Sequence, residues 1–236
     1  ITYLINYIIS FHNQKYMKKI LLSIIFYFFY SFSLSHVQHY DDINYLEYDL
    51  YRNDNLIGKH TYNFVREGNN LTVKSEVNFK ITKLGIDLYK YYAVSEENYK
   101  NNKFDSFNSK TKQNKKDKFV KIKFDKKGNK LNIIGSSYSG DTEADYIVGT
   151  WWNHKIIEAK AQISAISGRI IEQKVVFLGK EKININGKSY NSLHFKFLSS
   201  DENLPENKKL NTDIWYEENS FTWLKAKFVK QGEWEY

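Results

Sequence analysis

The sequence predicts a mainly β protein: a large, curled antiparallel meander of about eleven strands that forms an open or partial barrel, with one or two short helices. Two observations predict this fold class. Apolar and polar residues alternate with a period of two through most of the chain after residue 43, as in strands with one buried and one solvated face. Turn-forming residues separate these runs at hairpin distance, and short connections join antiparallel neighbours.

The run from Leu71 to Ile81 shows the alternation most clearly. One face carries Leu71, Val73, Ser75, Val77, Phe79 and Ile81, and the other carries Thr72, Lys74, Glu76, Asn78 and Lys80. Polar turns that all contain asparagine lie at 53–55, 68–70, 126–129, 186–187 and 217–219. These signals predict strands at 43–52, 56–66, 71–82, 86–99, 103–112, 119–125, 130–136, 169–182, 188–199, 209–217 and 222–230, with a last edge strand at 233–236.

Two segments interrupt this pattern. Residues 108–118 are polar and lysine-rich, and we expect the second half of this segment to be a long solvated hairpin loop. Residues 138–168 lose the alternation, and 147–166 contains helix-compatible sequence. Because a large twisted sheet cannot leave its apolar face wet, one or two short helices here are expected to cover the open end or the concave face.

The N-terminal region has the three parts of a secretory signal peptide. Lys18 and Lys19 follow Met17, an uncharged apolar stretch runs from residue 20 to 30, and Ser33 and Ser35 form a small-x-small cleavage site. We therefore predict upstream translated sequence at 1–16, a signal peptide at 17–35, a single β domain at 36–236 and a periplasmic location. The alternative is that residues 20–35 stay as a membrane anchor.

Composition narrows the class of protein. The chain has no cysteine, so it has no disulfide, no thiolate zinc site, no cysteine nucleophile and no cysteine for a lipid anchor. The formal charge of +8 becomes +5 without Lys15, Lys18 and Lys19. The Lys, Asn, Ile and Tyr bias is typical of an AT-rich genome, and we expect no nucleic-acid partner. Residues 103–112 have two mixed polar faces, so we do not expect the processed protein to be integral to a membrane.

The histidines give weak signals. His36 would be the first residue after cleavage, and with His39 it could chelate copper; the alternative is a frayed polar N-terminus. We expect His60 to be half-buried and hydrogen-bonded, and His194 to be exposed on the lysine-rich face. No triad, phosphate loop or metal motif is present. We therefore expect no catalytic residue, no metal, no cofactor and no enzymatic activity.

The strongest candidate site is the run Trp151, Trp152, Asn153 and His154. Two adjacent tryptophans where the alternation stops could wall an apolar pocket, with Asn153 and His154 as polar groups for a ligand. The alternative is that the tryptophans fill the core and Asn153 caps a helix.

The same residues resemble an uncharacterised exported bacterial family. The resemblance is carried by Thr150-Trp151-Trp152-Asn153, then Gly168, residues 183–190, Asp213-Ile214-Trp215-Tyr216 and Leu224-Lys225, with Tyr48–Tyr51 and Ile57-Gly58 near the start. Members share a Ser/Thr-aromatic-Trp-Asn motif and a C-terminal Trp-Tyr-Asp motif. This chain has Glu217 in place of that Asp and lacks the proline that is common after the Asn. The resemblance implies a curled β architecture and no catalytic residues. A more distant likeness is to the periplasmic lipoprotein carriers, whose incomplete barrel holds acyl chains.

Our leading hypothesis is a non-enzymatic periplasmic β domain that binds a lipid or another hydrophobic molecule in an apolar cavity. The alternative is a structural or envelope-assembly protein with a filled core that binds other proteins. The sequence leaves the ligand and the oligomeric state open.

Overall fold

The computed structural model of the chain describes Tyr40 and residues 42–230 and 232–236. These residues form one large curled sheet of fifteen strands. The strands are β1 (Tyr45–Arg52), β2 (Asn55–Glu67), β3 (Asn70–Lys83), β4 (Ile86–Lys100), β5 (Lys103–Gln113), β6 (Lys116–Asp125), β7 (Lys130–Gly135), β8 (Ser139–Glu143), β9 (Ile147–Val148), β10 (Ala161–Ile163), β11 (Ile170–Ile185), β12 (Lys188–Ser199), β13 (Asn211–Glu217), β14 (Trp223–Val229) and β15 (Glu233–Glu235). Short 3-10 helices lie at His154–Ile157 and Glu206–Lys208.

The predicted class, a mainly β curled antiparallel meander with one or two short helices, is confirmed. The strand count is higher than predicted, because β8, β9 and β10 occupy the segment where the alternation was lost. Strands of two to five residues are too short to show a period of two. The long loop predicted within 108–118 is wrong: only residues 114 and 115 separate β5 from β6. Lys110 and Lys112 lie on the outer face of β5, while Ser109 and Thr111 between them are buried inside.

Strand order in the sheet is β8-β7-β6-β5-β4-β3-β2-β1-β15-β14-β13-β12-β11-β10-β9. All neighbouring strands are antiparallel except β9 and β10, which pair in parallel. The sheet therefore consists of two meanders, β1–β8 and β10–β14, with β9 added in parallel beside β10. The three-residue strand β15 joins the meanders by pairing with both β1 and β14.

The inner face of the curled sheet is covered by two apolar clusters. The first joins β1–β4 to β12–β14 and contains Tyr62, Phe64, Trp152, Phe197 and Trp223. The second joins β5–β7 to β9 and β10, through residues such as Phe107, Ile133 and Ile163. Burial of these side chains is the main stabilising contribution.

The two ends of the sheet meet at the loop between β10 and β11. Ser137 N donates to Ser167 O at 2.8 Å, and Ser109 Oγ donates to Ala165 O at 2.5 Å. Gly135 is required at this contact, because a Cβ there would lie 2.6 Å from Ser167 O.

The segment before β1 is anchored at Tyr40, which is 1% exposed and whose hydroxyl accepts from Trp223 N at 2.9 Å. The expectation of a frayed N-terminus is therefore wrong at this residue. Residues 1–39 lie outside the described part of the chain, so the signal peptide, the cleavage site and the His36 and His39 copper site stay predictions. Within the described residues, no helix combines the length and the apolar character needed to span a membrane.

Candidate functional site

The tryptophan pair lies in the tight connection between β9 and the first 3-10 helix. Trp152 N donates to Thr150 O at 2.8 Å, and Trp151, between them, has a φ of 63°. An i to i+2 hydrogen bond around a residue with positive φ is a γ-turn of the rare, strained kind. This reversal separates the two indoles, so that the neighbouring side chains enter different environments.

Trp152 lies in the packed core. It is 1% exposed, and its ring makes edge contacts with Tyr40, Phe64 and Tyr99 at centroid distances of 5.6, 5.5 and 5.8 Å. Its Nε1 donates to Glu97 Oε2 at 3.0 Å. The indole therefore fills space and supplies a donor to a buried carboxylate.

Glu97 is the centre of a buried polar network. It lies on the inner face of β4 and is 3% exposed. Thr150 Oγ1 also donates to Oε2, at 3.2 Å, and the Tyr99 hydroxyl donates to Oε1. Burial raises the pKa of Glu97 above the ordinary value of 4.5, and the three donors partly oppose this rise.

Asn153 and His154 also belong to the packed region. Asn153 Oδ1 accepts from Lys155 N at 3.2 Å and caps the 3-10 helix, while its Nδ2 donates to the Tyr99 hydroxyl at 3.0 Å. His154 is 4% exposed, and its ring packs against Phe221 at a centroid distance of 4.9 Å. Neither residue is among those that line the cavity described next.

Trp151 faces a cavity of about 620 Å³ on the inner face of the sheet, here called the inner cavity. It is half-buried, and its ring packs edge-on against Trp223 and Tyr236 at 5.5 and 5.7 Å. Its buried Nε1 has no hydrogen-bond acceptor among the described residues. Of the four predicted site residues, only Trp151 is therefore part of the described wall of the inner cavity.

Aromatic and aliphatic side chains form most of the remaining wall. Phe79 stacks on Tyr91 at 4.8 Å and meets Trp234 edge-on at 5.3 Å, and Trp234 stacks on Phe228 at 5.8 Å. The middle of the cavity is lined by small inner-face residues of adjacent strands, namely Ser75, Ala93, Ser95 and Ser109. Their small volume leaves the space that the aromatic residues enclose.

The cavity wall also carries polar groups, namely hydroxyls, His60 and two cationic side chains. His60 Nε2 lies 2.8 Å from Ser75 Oγ, as predicted for a half-buried histidine, and its buried Nδ1 finds no partner among the described residues. Burial lowers the pKa of His60 well below its ordinary value of 6.5, so the ring is neutral at pH 7. The charged side chains in the described wall are Arg52 and Lys230, and both are cationic.

The sequence from residue 48 to residue 236 matches the family described as Domain of unknown function (DUF6134). The chain belongs to the DUF6134 family. The match runs from within β1 to the last residue, and it confirms the resemblance to an uncharacterised family. No curated protein matches the chain.

A solved structure with a similar fold is the beta-barrel-like protein of domain of unknown function DUF1849 from Brucella abortus. The alignment covers 81% of this chain and 93% of that chain, with a TM-score of 0.55 and 11% sequence identity. This likeness shows that the DUF6134 domain shares a barrel-like β fold with that protein.

The outer face of this DUF6134 domain carries a second, larger concavity of about 1220 Å³ across β2–β6. Its outer-face lining is mixed in charge, with Lys74, Lys110 and Lys121 beside Glu76 and Asp117. Facing groups of both signs favour a solvated surface over an apolar ligand site.

His194, on the outer face of β12, is not simply exposed as predicted. Its ring stacks on Trp215 at 4.1 Å, and its nitrogens lie 3.0 Å from Asp213 and 3.1 Å from Glu181. Within the described part of the DUF6134 domain, no three metal-ligating side chains are grouped so as to hold an ion.

Glu97 and Arg52 are residues that sequence reasoning missed. Glu97 pairs with Val73 on β3 and Phe107 on β5, so it occupies an apolar position of the alternation. A carboxylate at such a position is a readable signal for a buried polar network. Arg52 gives no comparable signal, because it stands at a strand end where charged residues are ordinary.

Proposed function

We propose that this domain binds a small apolar or amphipathic molecule in the inner cavity, in the periplasm and without catalysing a reaction. The observation that carries the proposal is the cavity itself. A half-open space of about 620 Å³ with aromatic walls lies inside a sheet whose remaining inner face is packed. Protein interiors rarely leave such space without use.

The size and chemistry of the cavity support a ligand of lipid-like character. Pockets for small molecules span about 300–1,000 Å³ and have mainly apolar walls with a few polar groups. Phe79, Tyr91, Phe228 and Trp234 provide the apolar wall. Trp151 Nε1 and His60 Nδ1 are buried and lack partners within the described residues, and a bound molecule or an ordered water would supply the missing hydrogen bonds.

The charges favour a molecule with an anionic end. Arg52 and Lys230 contribute positive charge to the cavity wall, and no acidic side chain is present in its described lining. Arg52 also lies over the Trp234 ring at 5.8 Å. A carboxylate or phosphate near Arg52 would be favourable, while a chain or ring system would occupy the aromatic interior.

The surroundings of Glu97 support a non-enzymatic role. Three donors surround its carboxylate, one of them the indole of a buried tryptophan. A general acid or base has to reach a substrate proton, and this carboxylate is enclosed in the packed core. Its polar network is best explained as support for the β4 and Trp152 contact.

Binding of N-phenyl-1-naphthylamine, a neutral fluorescent apolar probe, tests the proposal. Ser95→Phe adds bulk inside the cavity between Ser75 and Ser109, so it should abolish probe binding while the protein stays folded. Glu96→Phe adds the same ring at the next residue, on the outer face, and should bind the probe as the wild type does.

Organic extraction of the purified protein followed by mass spectrometry should release a bound amphiphile with an anionic group. An empty extract together with equal probe binding by the Ser95→Phe and wild-type proteins would contradict the cavity proposal. That outcome would favour the envelope-assembly alternative.

A further inference from the structure

The β3–β4 hairpin ends in a tip, Thr82–Leu88, whose apolar side chains project into solvent. Leu84 is 93% exposed, Ile86 66% and Leu88 56%. A single exposed leucine is ordinary, but three large exposed aliphatic side chains within five residues concentrate apolar area at one turn. Their position on one turn makes this apolar area narrow and protruding.

The turn residue Leu84 is unusual in this chain. Leu84 and Gly85 form a two-residue hairpin turn with φ values of 51° and 77°, a geometry that favours Asn-Gly. The other five two-residue hairpin turns in the described chain begin with Asn or Gly, at Asn53, Gly68, Asn101, Asn114 and Asn186. Leucine at this position is unfavourable for two reasons: its backbone has a positive φ, and its apolar side chain is exposed to water.

The tip is continuous with the inner cavity. Leu88 lies at the tip and also lines the cavity, together with Ile81 and Tyr89 of the same hairpin. Arg52 and Lys230 line the cavity as well, and they lie at the ends of β1 and β14 that face the same edge of the sheet. An apolar path therefore leads from the tip to the cavity.

Within the hairpin, the charged residues that flank the tip in sequence are mainly positive. Lys80, Lys83 and Lys90 surround one acid, Asp87, and Asp87 pairs with Lys90 at 3.0 Å. Basic side chains beside exposed leucines are complementary to an anionic lipid surface, where each lysine adds favourable binding.

We propose that the β3–β4 tip inserts Leu84 and Ile86 into the surface of an anionic lipid bilayer, with its lysines against the headgroups. This contact would hold the cavity at the membrane, where an amphipathic ligand could enter or leave. The bilayer contact is independent of whether the cavity binds a ligand, so each proposal can fail without the other.

Co-sedimentation with phosphatidylglycerol vesicles tests this proposal. The protein is purified after export by the expressing bacterium. Leu84→Asn creates the favoured Asn-Gly turn, so the variant should fold at least as well as the wild type. Its partitioning onto the vesicles should be about tenfold weaker, the effect expected from losing one buried leucine. Lys83→Gln should weaken it about fivefold, and phosphatidylcholine vesicles should bind the wild type weakly.

Leu178→Asn is the matched control, because Leu178 is 54% exposed on β11, away from the tip. It should partition as the wild type does. The Leu84→Asn protein should keep wild-type affinity for N-phenyl-1-naphthylamine without vesicles, which separates the bilayer contact from the cavity.

Two results would overturn the bilayer contact. One is equal vesicle binding by the Leu84→Asn and wild-type proteins, including no binding by either. The other is a wild-type dimer in analytical ultracentrifugation that Leu84→Asn converts to a monomer, since the tip would then dock on a second copy of the chain.

Discussion

The same strands form a packed half and an open half of the inner face, and the difference between them is side-chain size. Towards the β2–β3 turn, the inner residues are large, such as Phe64, Val73 and Tyr99. Farther from that turn, the inner residues of β3 and β4 are the small Ser75, Ala93 and Ser95, and the inner cavity opens there. Trp152 belongs to the first half and Trp151 to the second. The comparison shows that alternation decides which face is inside, whereas residue volume decides whether that inside is filled.

Truncating the two tryptophans should give the largest contrast. Trp152→Ala removes a fully buried side chain and a donor to Glu97, and we expect it to lower the unfolding free energy by about 3–5 kcal/mol. Trp151→Ala removes a half-buried ring, and we expect a loss of about 1–2 kcal/mol. Urea denaturation midpoints measure both effects.

Probe affinity provides the second readout for this pair. Trp151→Ala should weaken binding of N-phenyl-1-naphthylamine in the folded protein, while folded Trp152→Ala should bind it normally. Equal stability losses with unchanged probe affinity in both variants would show that the two residues do not belong to different halves.

The packed half should make stability fall as pH rises. Burial raises the pKa of Glu97 in the folded protein above 4.5, so the folded state holds its proton more tightly than the unfolded state does. The stabilisation from that proton is complete below 4.5 and is lost as pH rises through the folded pKa. Between pH 4.5 and the folded pKa of Glu97, the unfolding free energy of Glu97→Gln should therefore rise relative to that of the wild type. The rise should be at most about 1.4 kcal/mol per pH unit. Denaturation midpoints that stay parallel across this window would contradict the prediction.

The open half should show a pH dependence of the opposite sign. Burial lowers the pKa of His60 below 6.5, so the unfolded state binds more protons than the folded state as pH falls below 6.5. The contribution of neutral His60 is present above 6.5 and is lost in acid. His60→Gln should reduce this acid destabilisation, as followed by thermal unfolding between pH 4 and 7, a range set by these ordinary pKa values. An unchanged acid profile would mean that His60 is already hydrated by the cavity.

Most of the fold could be predicted because long strands repeat the alternation many times. β3 carries the apolar–polar alternation over Asn70–Lys83, and one polar residue on the apolar face does not hide the pattern. The region 138–168 could not be predicted in the same way, since β9 has only two residues and β10 three. Their pairing depends on contacts with Gly149 and β11 that no local pattern records.

The candidate site was only partly predictable for a different reason. The Trp-Trp pair marked the place where sheet and loop meet, but the positive φ that separates the two indoles is a tertiary feature. The cavity depends on small residues contributed by three different strands, β3, β4 and β5. A single small residue in one strand carries no such information.

The three-residue strand β15 also sets an order of folding events. Every other antiparallel pair in the described sheet joins strands that are consecutive in the chain, so each meander can grow from local hairpins. The pairing of β15 with β1 instead brings together residues 180 positions apart, where Glu233 N donates to Asn53 Oδ1 at 2.8 Å. Such a closure is slow, because bringing Asn53 and Glu233 together costs the conformational entropy of the whole chain between them. Trp234 and Tyr236 line the cavity, so we expect its aromatic wall to be completed only when the two meanders join.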